Sequence, residues 1–167
     1  FSHLRKAHAG ADETGEERAR TILPDGEPHV TANHAAEREH SGEIRFAIET
    51  ALDSGRLWSG TSARARAIEI FTQLRVWDTE RNNGVLIYLL LADRDIEIVA
   101  DRGLNRHVDA AQWQAIMERM RAAFRQGAFE AGLNDAIDAV DALLVQHFPL
   151  APGEHNPNEL SDAPHLR

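Results

Sequence analysis

The sequence contains no cysteine. This absence excludes disulfide bonds, zinc sites built on thiolates, iron–sulfur clusters and a cysteine nucleophile. It does not identify the compartment, because a chain without thiols is compatible with any redox environment. No apolar run approaches the roughly 18 residues that a membrane-spanning helix requires, so we predict no membrane span in this chain.

A secretory signal is also missing from the sequence. Residues 1–10 lack the apolar core of a signal peptide. The chain starts at Phe1 rather than Met, which is compatible with an upstream signal or anchor that was removed. The localisation is therefore open between a cytoplasmic protein and a soluble domain associated with the cell envelope.

Positive charge is scarce as well, since the formal net charge is −9. A general nucleic-acid binder carries a basic face, so we expect no nucleic-acid partner. The excess of carboxylates is compatible with cation sites, although a plain acidic surface is the more common explanation.

Nucleophile and cofactor motifs are absent too. There is no Gly-x-Ser-x-Gly elbow and no phosphate-binding Gly-x-x-x-x-Gly-Lys-Ser/Thr loop, and no organic cofactor is implied. The nine histidines include no His-Glu-x-x-His motif, and His34 and His40 fall on different faces of a helix. We interpret the histidines as scattered, solvated side chains.

The chain is organised around residues 81–103, which contain two apolar runs separated by a polar turn at Asp93-Arg94-Asp95. The first run, residues 85–91, carries no charge and predicts a strand buried on both faces. The second run, residues 96–100, predicts its antiparallel hairpin partner. Upstream, residues 43–49 alternate, which predicts a first strand with one wetter face that contains Glu43 and Glu49.

Helical periodicity surrounds these strands. Helices are predicted over residues 31–40, 61–77, 110–125 and 129–148, with Asp109 as the N-cap of the third and with loops at 51–60 and 102–108. A strand–helix–strand crossover makes the first two strands parallel. We therefore predict an α/β fold with a small mixed sheet, a parallel pair plus an antiparallel hairpin strand, sandwiched by helices. The predicted organisation is a flexible arm (1–30), this domain (31–149) and a flexible tail (150–167).

The topology collects polar residues at the end of the sheet where the first two strands begin, which we call the first end. Glu43, Asp101 and Asp109 are candidate metal ligands there, because Ca²⁺ and Mg²⁺ prefer oxygen ligands. Asn82, Asn83 and Arg102 are candidate ligand-binding residues. The alternative is purely structural: Asp101 pairs with an arginine, Asp109 caps a helix, and Asn83-Gly84 forms a turn.

The opposite end of the sheet, the second end, collects the hairpin turn and the start of the helix over 61–77. Asp93 is a second candidate metal ligand there, and Arg94 is a candidate ligand-binding residue. Arg64 and Arg66 lie in the first turn of that helix, where their charge opposes the helix dipole. A bound anion or simple exposure to solvent would relieve this conflict.

Several motifs of the chain resemble the TPM domain, a family of bacterial and plastid proteins that includes a thylakoid-lumen acid phosphatase. The resemblance spans about residues 31–150 and is similar to a bacterial branch of the family. It is carried, in order, by Ser41-Gly42-Glu43-Ile44-Arg45, Arg81-Asn82-Asn83-Gly84-Val85-Leu86-Ile87-Tyr88, Ala92-Asp93-Arg94, Asp101-Arg102-Gly103-Leu104, residues 124–133 and His147-Phe148-Pro149.

The resemblance implies an α/β/α sandwich and, for some members, calcium binding. It also implies two readings of function: a binding or assembly module with a divalent-cation site and an unknown protein partner, or a metal-dependent acid phosphatase acting on phosphomonoesters. The polar motifs of the family fall here on Asn82, Asn83, Gly84, Asp93, Arg94, Gly103 and Asp109. The sequence departs from the family where Asp101-Arg102 replaces an aromatic–glycine pair.

Overall fold

A mixed sheet lies at the centre of the computed structural model, which describes residues 40–155 and 165–166. The predicted arm (1–30) and, apart from His40, the predicted helix (31–40) lie outside the described residues, as do 156–164 and 167 of the predicted tail. The elements are β1 (Glu43–Glu49), α1 (Ser54–Ser59), α2 (Ala63–Gln73), β2 (Gly84–Leu90), β3 (Asp95–Ala100), α3 (Arg102–Asn105), α4 (Ala110–Arg125), α5 (Phe129–His147) and β4 (His165–Leu166).

The sheet has the strand order β3-β2-β1-β4. β1 and β2 are parallel, from Glu43 opposite Gly84 to Glu49 opposite Leu90. β3 is antiparallel to β2, and the two-residue β4 is parallel to β1. The predicted α/β class, with its parallel pair and antiparallel hairpin strand, is confirmed.

Helices cover both faces of this sheet. On one face, α4 and α5 pack against Phe46, Ile87 and Ile98. On the other face, α2 packs against Leu86 and Tyr88. β2 is buried along its whole length, as its uncharged sequence predicts, because it has a neighbouring strand on each side and helices above and below. No helix within residues 40–155 and 165–166 has the length and apolarity needed to cross a membrane.

Two short helices replace predicted loops. α1 forms within residues 51–60 because Asp53 accepts a hydrogen bond from the Arg56 amide and Gly60 takes a left-handed conformation that ends the helix. α3 forms within residues 102–108 with Asp101 as its N-cap. Both helices are too short for hydrophobic periodicity to reveal them, so only their capping residues carried a signal.

The prediction of a wetter face on β1 is wrong. Glu43 is 1% exposed and Glu49 is 4% exposed. α2 covers this face of the sheet and supplies Arg66, which is itself buried and hydrogen-bonds Glu49. The alternation of the sequence identified which side chains of β1 are polar, but it did not predict that they are buried. A carboxylate such as that of Glu49 can be buried when another element supplies a partner, here Arg66.

Candidate functional site

The first end of the sheet is built by close backbone contacts between two loops. The Asp101 amide donates to the Gly84 carbonyl at 2.9 Å, and the Gly103 amide donates to the Asn82 carbonyl at 2.9 Å. A Cβ on Gly103 would overlap that Asn82 oxygen, so only glycine fits here. Asn82 itself has a positive φ of 52°, which turns the chain into β2.

Asn83 is buried at the centre of this end, with no exposed surface. Its amide donates to Thr79 Oγ1 at 3.1 Å, and its side-chain Nδ2 donates to Ser41 Oγ at 3.1 Å. Its side-chain oxygen, Oδ1, is buried and has no hydrogen-bond partner in the described part of the chain. A buried amide oxygen without a donor costs free energy, so its retention needs a physical reason.

Asp101 presents a second oxygen of this kind. Its Oδ1 accepts a hydrogen bond from the Arg102 amide at 2.7 Å. Its Oδ2 is buried and finds no donor among the described residues. The Asp101 amide is bonded to Gly84, the residue after Asn83, so the backbones of Asn83 and Asp101 lie close together at this end of the sheet. Glu43, which faces Gly84 across the β1–β2 ladder, adds a second buried carboxyl group at this end.

The other predicted residues of the first end have simpler surroundings. Asp109 forms a capping box with Gln112, accepting at 2.8 Å from the Gln112 amide, and is exposed. Arg102 is exposed in the first turn of α3. Within residues 40–155 and 165–166, no group of three or more His, Asp or Glu side chains is arranged to hold a metal ion. That Glu43, Asp101 and Asp109 bind one cation together therefore stays a prediction.

At the second end, the predicted residues Asp93 and Arg94 are exposed in the hairpin turn, where Arg94 has a positive φ of 53°. The two arginines at the start of α2 differ: Arg66 is buried beside an acidic partner, whereas the Arg64 side chain is 50% exposed, in agreement with the alternative of simple exposure to solvent. Arg66 bonds the buried Glu49 at 2.9 and 2.5 Å, and Arg64 bonds the carbonyl of Ile98 at 2.5 Å.

Sequence reasoning missed the buried network around Glu49. Tyr88 Oη donates to Glu49 Oε2 at 2.7 Å from within β2, and Arg66 binds the same carboxylate. The hydrogen bond with Glu49 raises the pKa of Arg66, and burial together with the bond to Glu49 raises the pKa of Tyr88. Arg66 therefore stays charged and Tyr88 stays neutral, and the network joins α2 to the sheet.

A second buried pair, His40 with Asp141, was also missed, and the interpretation of His40 as a solvated side chain is wrong. His40 has no exposed surface, and its Nε2 lies 3.2 Å from Asp141 Oδ1. Its Nδ1 accepts a hydrogen bond from the Gly42 amide at 3.1 Å, so Nε2 carries the proton given to Asp141. Burial raises the pKa of Asp141, although the hydrogen bond from His40 opposes this shift.

This geometry defines a small α/β domain with helices on both faces of a mixed sheet and with buried, partly unsatisfied polar groups at one sheet end. The family profile described as the TPM domain matches residues 20–143, and the chain belongs to this family. The resemblance inferred from the motifs is thereby confirmed. Comparison with curated proteins gave no match.

Two solved structures are similar to this chain. The NMR structure of BA42 protein from the psychrophilic bacterium Bizionia argentinensis is 27% identical, with a TM-score of 0.71 over 97% of this chain and 99% of that one. The solution NMR structure of the N-terminal domain of a protein from P. gingivalis is 20% identical, with a TM-score of 0.56 over 86% of this chain and 85% of that one. The second likeness concerns the fold alone.

Proposed function

We propose that the chain is a binding module that takes up a divalent cation at the first end of its sheet. The observation that carries this proposal is the pair of buried oxygens, Asn83 Oδ1 and Asp101 Oδ2, which have no hydrogen-bond donor among the described residues. A cation within reach of both oxygens would satisfy them at once. Glu43, buried at the same end, is a further candidate carboxyl ligand.

The chemistry of these donors favours Ca²⁺ over Mg²⁺. Calcium accepts mixed carboxylate, amide and carbonyl oxygens at variable angles, whereas magnesium demands near-ideal octahedral geometry and keeps several waters. Asn83 and Asp101 offer one amide and one carboxylate oxygen, on a backbone that the Gly103–Asn82 contact holds in place. Such a site binds the ion without presenting an activated nucleophile, as suits a module that recognises or assembles with a partner.

Isothermal titration calorimetry with CaCl₂ and with MgCl₂ tests this proposal. Asp101→Asn keeps the size of the side chain and an oxygen for the Arg102 amide but removes the negative charge, so calcium binding should weaken by about tenfold or more. The matched control is Asp53→Asn, since Asp53 is also a helix N-cap but lies ahead of α1. Equal calcium affinities of wild type, Asp101→Asn and Asp53→Asn would overturn the proposal.

The same calorimetry tests the remaining predicted ligands separately. Asp109→Asn measures whether the exposed capping residue of α4 contributes to the ion, and Asp93→Asn measures the contribution of the second end. If only Asp93→Asn weakens binding, the site lies in the hairpin turn and not at the first end.

A metal-dependent phosphatase is the alternative function. The observation that supports it is Arg102, an exposed residue next to Asp101, whose guanidinium would neutralise charge on a phosphate beside a metal ion. Hydrolysis of an aryl phosphate should then require the cation. Activity that survives Asp93→Ala, Asp101→Ala and Asp109→Ala would exclude catalysis by these residues.

A further inference from the structure

Among the residues that the structure describes, β3 is an edge strand of the sheet, with β2 on one side only. Such an edge presents unpaired backbone groups that can recruit a strand from another chain. The sequence of β3, Asp-Ile-Glu-Ile-Val-Ala, contains no proline or glycine that would interrupt such pairing. The state of its outward-facing backbone groups therefore decides whether the chain associates through this edge.

The register identifies which groups face outward. Asp101, which follows β3, donates its amide to Gly84, so this opposed pair is hydrogen-bonded. In an antiparallel ladder the bonded pairs alternate, so Asp95, Glu97 and Val99 also bond to β2. The backbone groups of Ile96, Ile98 and Ala100 consequently point away from β2, towards the open edge.

Side chains already occupy several of these outward groups. Arg121 Nη2 donates to the Ile96 carbonyl at 3.1 Å, and Arg64 Nη1 donates to the Ile98 carbonyl at 2.5 Å. The Ile96 amide donates to Asp95 Oδ1 at 2.9 Å. Both backbone groups of Ile96 and the carbonyl of Ile98 are thus engaged without a neighbouring strand.

The two arginines reach the edge from opposite sides of the sheet. Arg64 belongs to α2 and also contacts Glu97 at 3.4 Å. Arg121 belongs to α4 and also contacts Asp95 at 3.5 Å. These contacts with acidic residues of β3 hold the guanidinium groups over the strand, so each helix layer supplies one cap for the edge.

The strand that the caps compete with is β3 of a second copy of the chain. A two-fold axis at Ile98 would place Ile98 opposite Ile98 of the second copy and Ile96 opposite its Ala100. Every outward amide and carbonyl of the three residues would then pair across the axis. The same register sets Glu97 opposite Val99 of the second copy, and it sets Asp95 opposite Asp101 of that copy, a like-charge pair that also disfavours the dimer.

We infer that Arg64 and Arg121 close the sheet edge at β3 and thereby prevent two copies of the chain from joining edge to edge. Self-pairing requires both guanidinium groups to leave the carbonyls that they cap. Each lost charge-assisted hydrogen bond disfavours the dimer in the wild type by on the order of tenfold. Removing both guanidinium groups should therefore favour the dimer.

The test compares sedimentation velocity of the wild type with that of Arg64→Ala/Arg121→Ala over a range of protein concentrations. We expect a dimer dissociation constant at least about tenfold lower for the double variant, and an intermediate value for each single variant. The control is Arg119→Ala/Arg125→Ala, which removes the same charge from α4 at positions that pair with Asp135 and Glu118 rather than with β3. This control should sediment like the wild type.

Two further measurements tie any dimer to the edge. Adding Ala100→Pro to the double variant removes an outward amide that β2 does not use, and it should abolish the dimer. Hydrogen exchange of the Ile98 amide should slow with rising protein concentration in the double variant. A folded double variant that sediments like the wild type, or a dimer that persists with Ala100→Pro, would overturn the inference.

Discussion

Replacing Arg66 by methionine should destabilise the protein far more than any exposed ion pair would. Arg66 is 4% exposed and binds Glu49, which is also 4% exposed. Methionine fills a similar volume but leaves the Glu49 carboxylate buried without its arginine partner, while the Tyr88 hydroxyl still donates to it. Breaking a buried pair by removing one partner costs about 3–5 kcal/mol.

This loss is large relative to the whole stability of a domain, which is about 5–15 kcal/mol. For a chain of this size, each kcal/mol shifts the melting temperature by about 2–4 °C, so Arg66→Met should melt about 6–20 °C lower. Urea unfolding followed by circular dichroism measures the free energy directly. Adding Glu49→Gln should restore part of the lost stability, because a neutral amide costs less to bury than an unpaired carboxylate.

The matched control for Arg66→Met is Arg56→Met. Arg56 makes the same kind of contact, with Glu69 and Asp53, but its side chain is 33% exposed. Solvent screens that pair, so the control should lose much less stability. If the two variants lose equal stability, or if Glu49→Gln destabilises Arg66→Met further, the reasoning about the buried network is refuted.

Two other changes test the packing and the titration of the core. Gly84→Ala should destabilise the protein by at least about 2 kcal/mol in urea unfolding, because the new Cβ would overlap the Val76 carbonyl. The control Gly55→Ala in α1 should be nearly neutral, and equal effects of the two changes would contradict this packing. Burial raises the pKa of Asp141 in the folded protein above its value in the unfolded chain. The contribution of Asp141 to stability is therefore greatest below the unfolded pKa and falls as pH rises towards the folded pKa. Asp141→Asn, which keeps an acceptor for His40, removes this titration, so the stability of the wild type relative to the variant should fall with rising pH in that window. A difference that is independent of pH would contradict it.

Most of the fold could be predicted from local patterns. β1 and α4 begin and end at the predicted residues, because alternation marks the strand and Asp109 marks the helix start. α2 spans Ala63–Gln73 rather than 61–77, because Ser62 is the cap and the chain leaves the helix at Leu74, ahead of a positive φ at Arg75. Periodicity described the apolar stripe correctly but did not locate its last turn.

The buried polar pairs could not be predicted in the same way. His40 and Asp141 lie 101 positions apart, and Arg66 meets Glu49 only because α2 crosses the sheet face. Partners so distant in sequence leave no local spacing to detect. The polar motif at Asn83 and Asp101 did mark the first end of the sheet, but that their free oxygens are buried follows only from the packing of the two loops.

The most direct test of cation binding at the first end is an NMR titration of the isotope-labelled chain with calcium. We expect saturable shifts of the Asn83 side-chain amide and the Gly103 backbone amide in the wild type and in Asp53→Asn. The same shifts should be absent from Asp101→Asn at equal calcium concentration. Shifts confined to the hairpin turn around Asp93, or no shift at millimolar calcium, would contradict a cation site between Asn83 and Asp101.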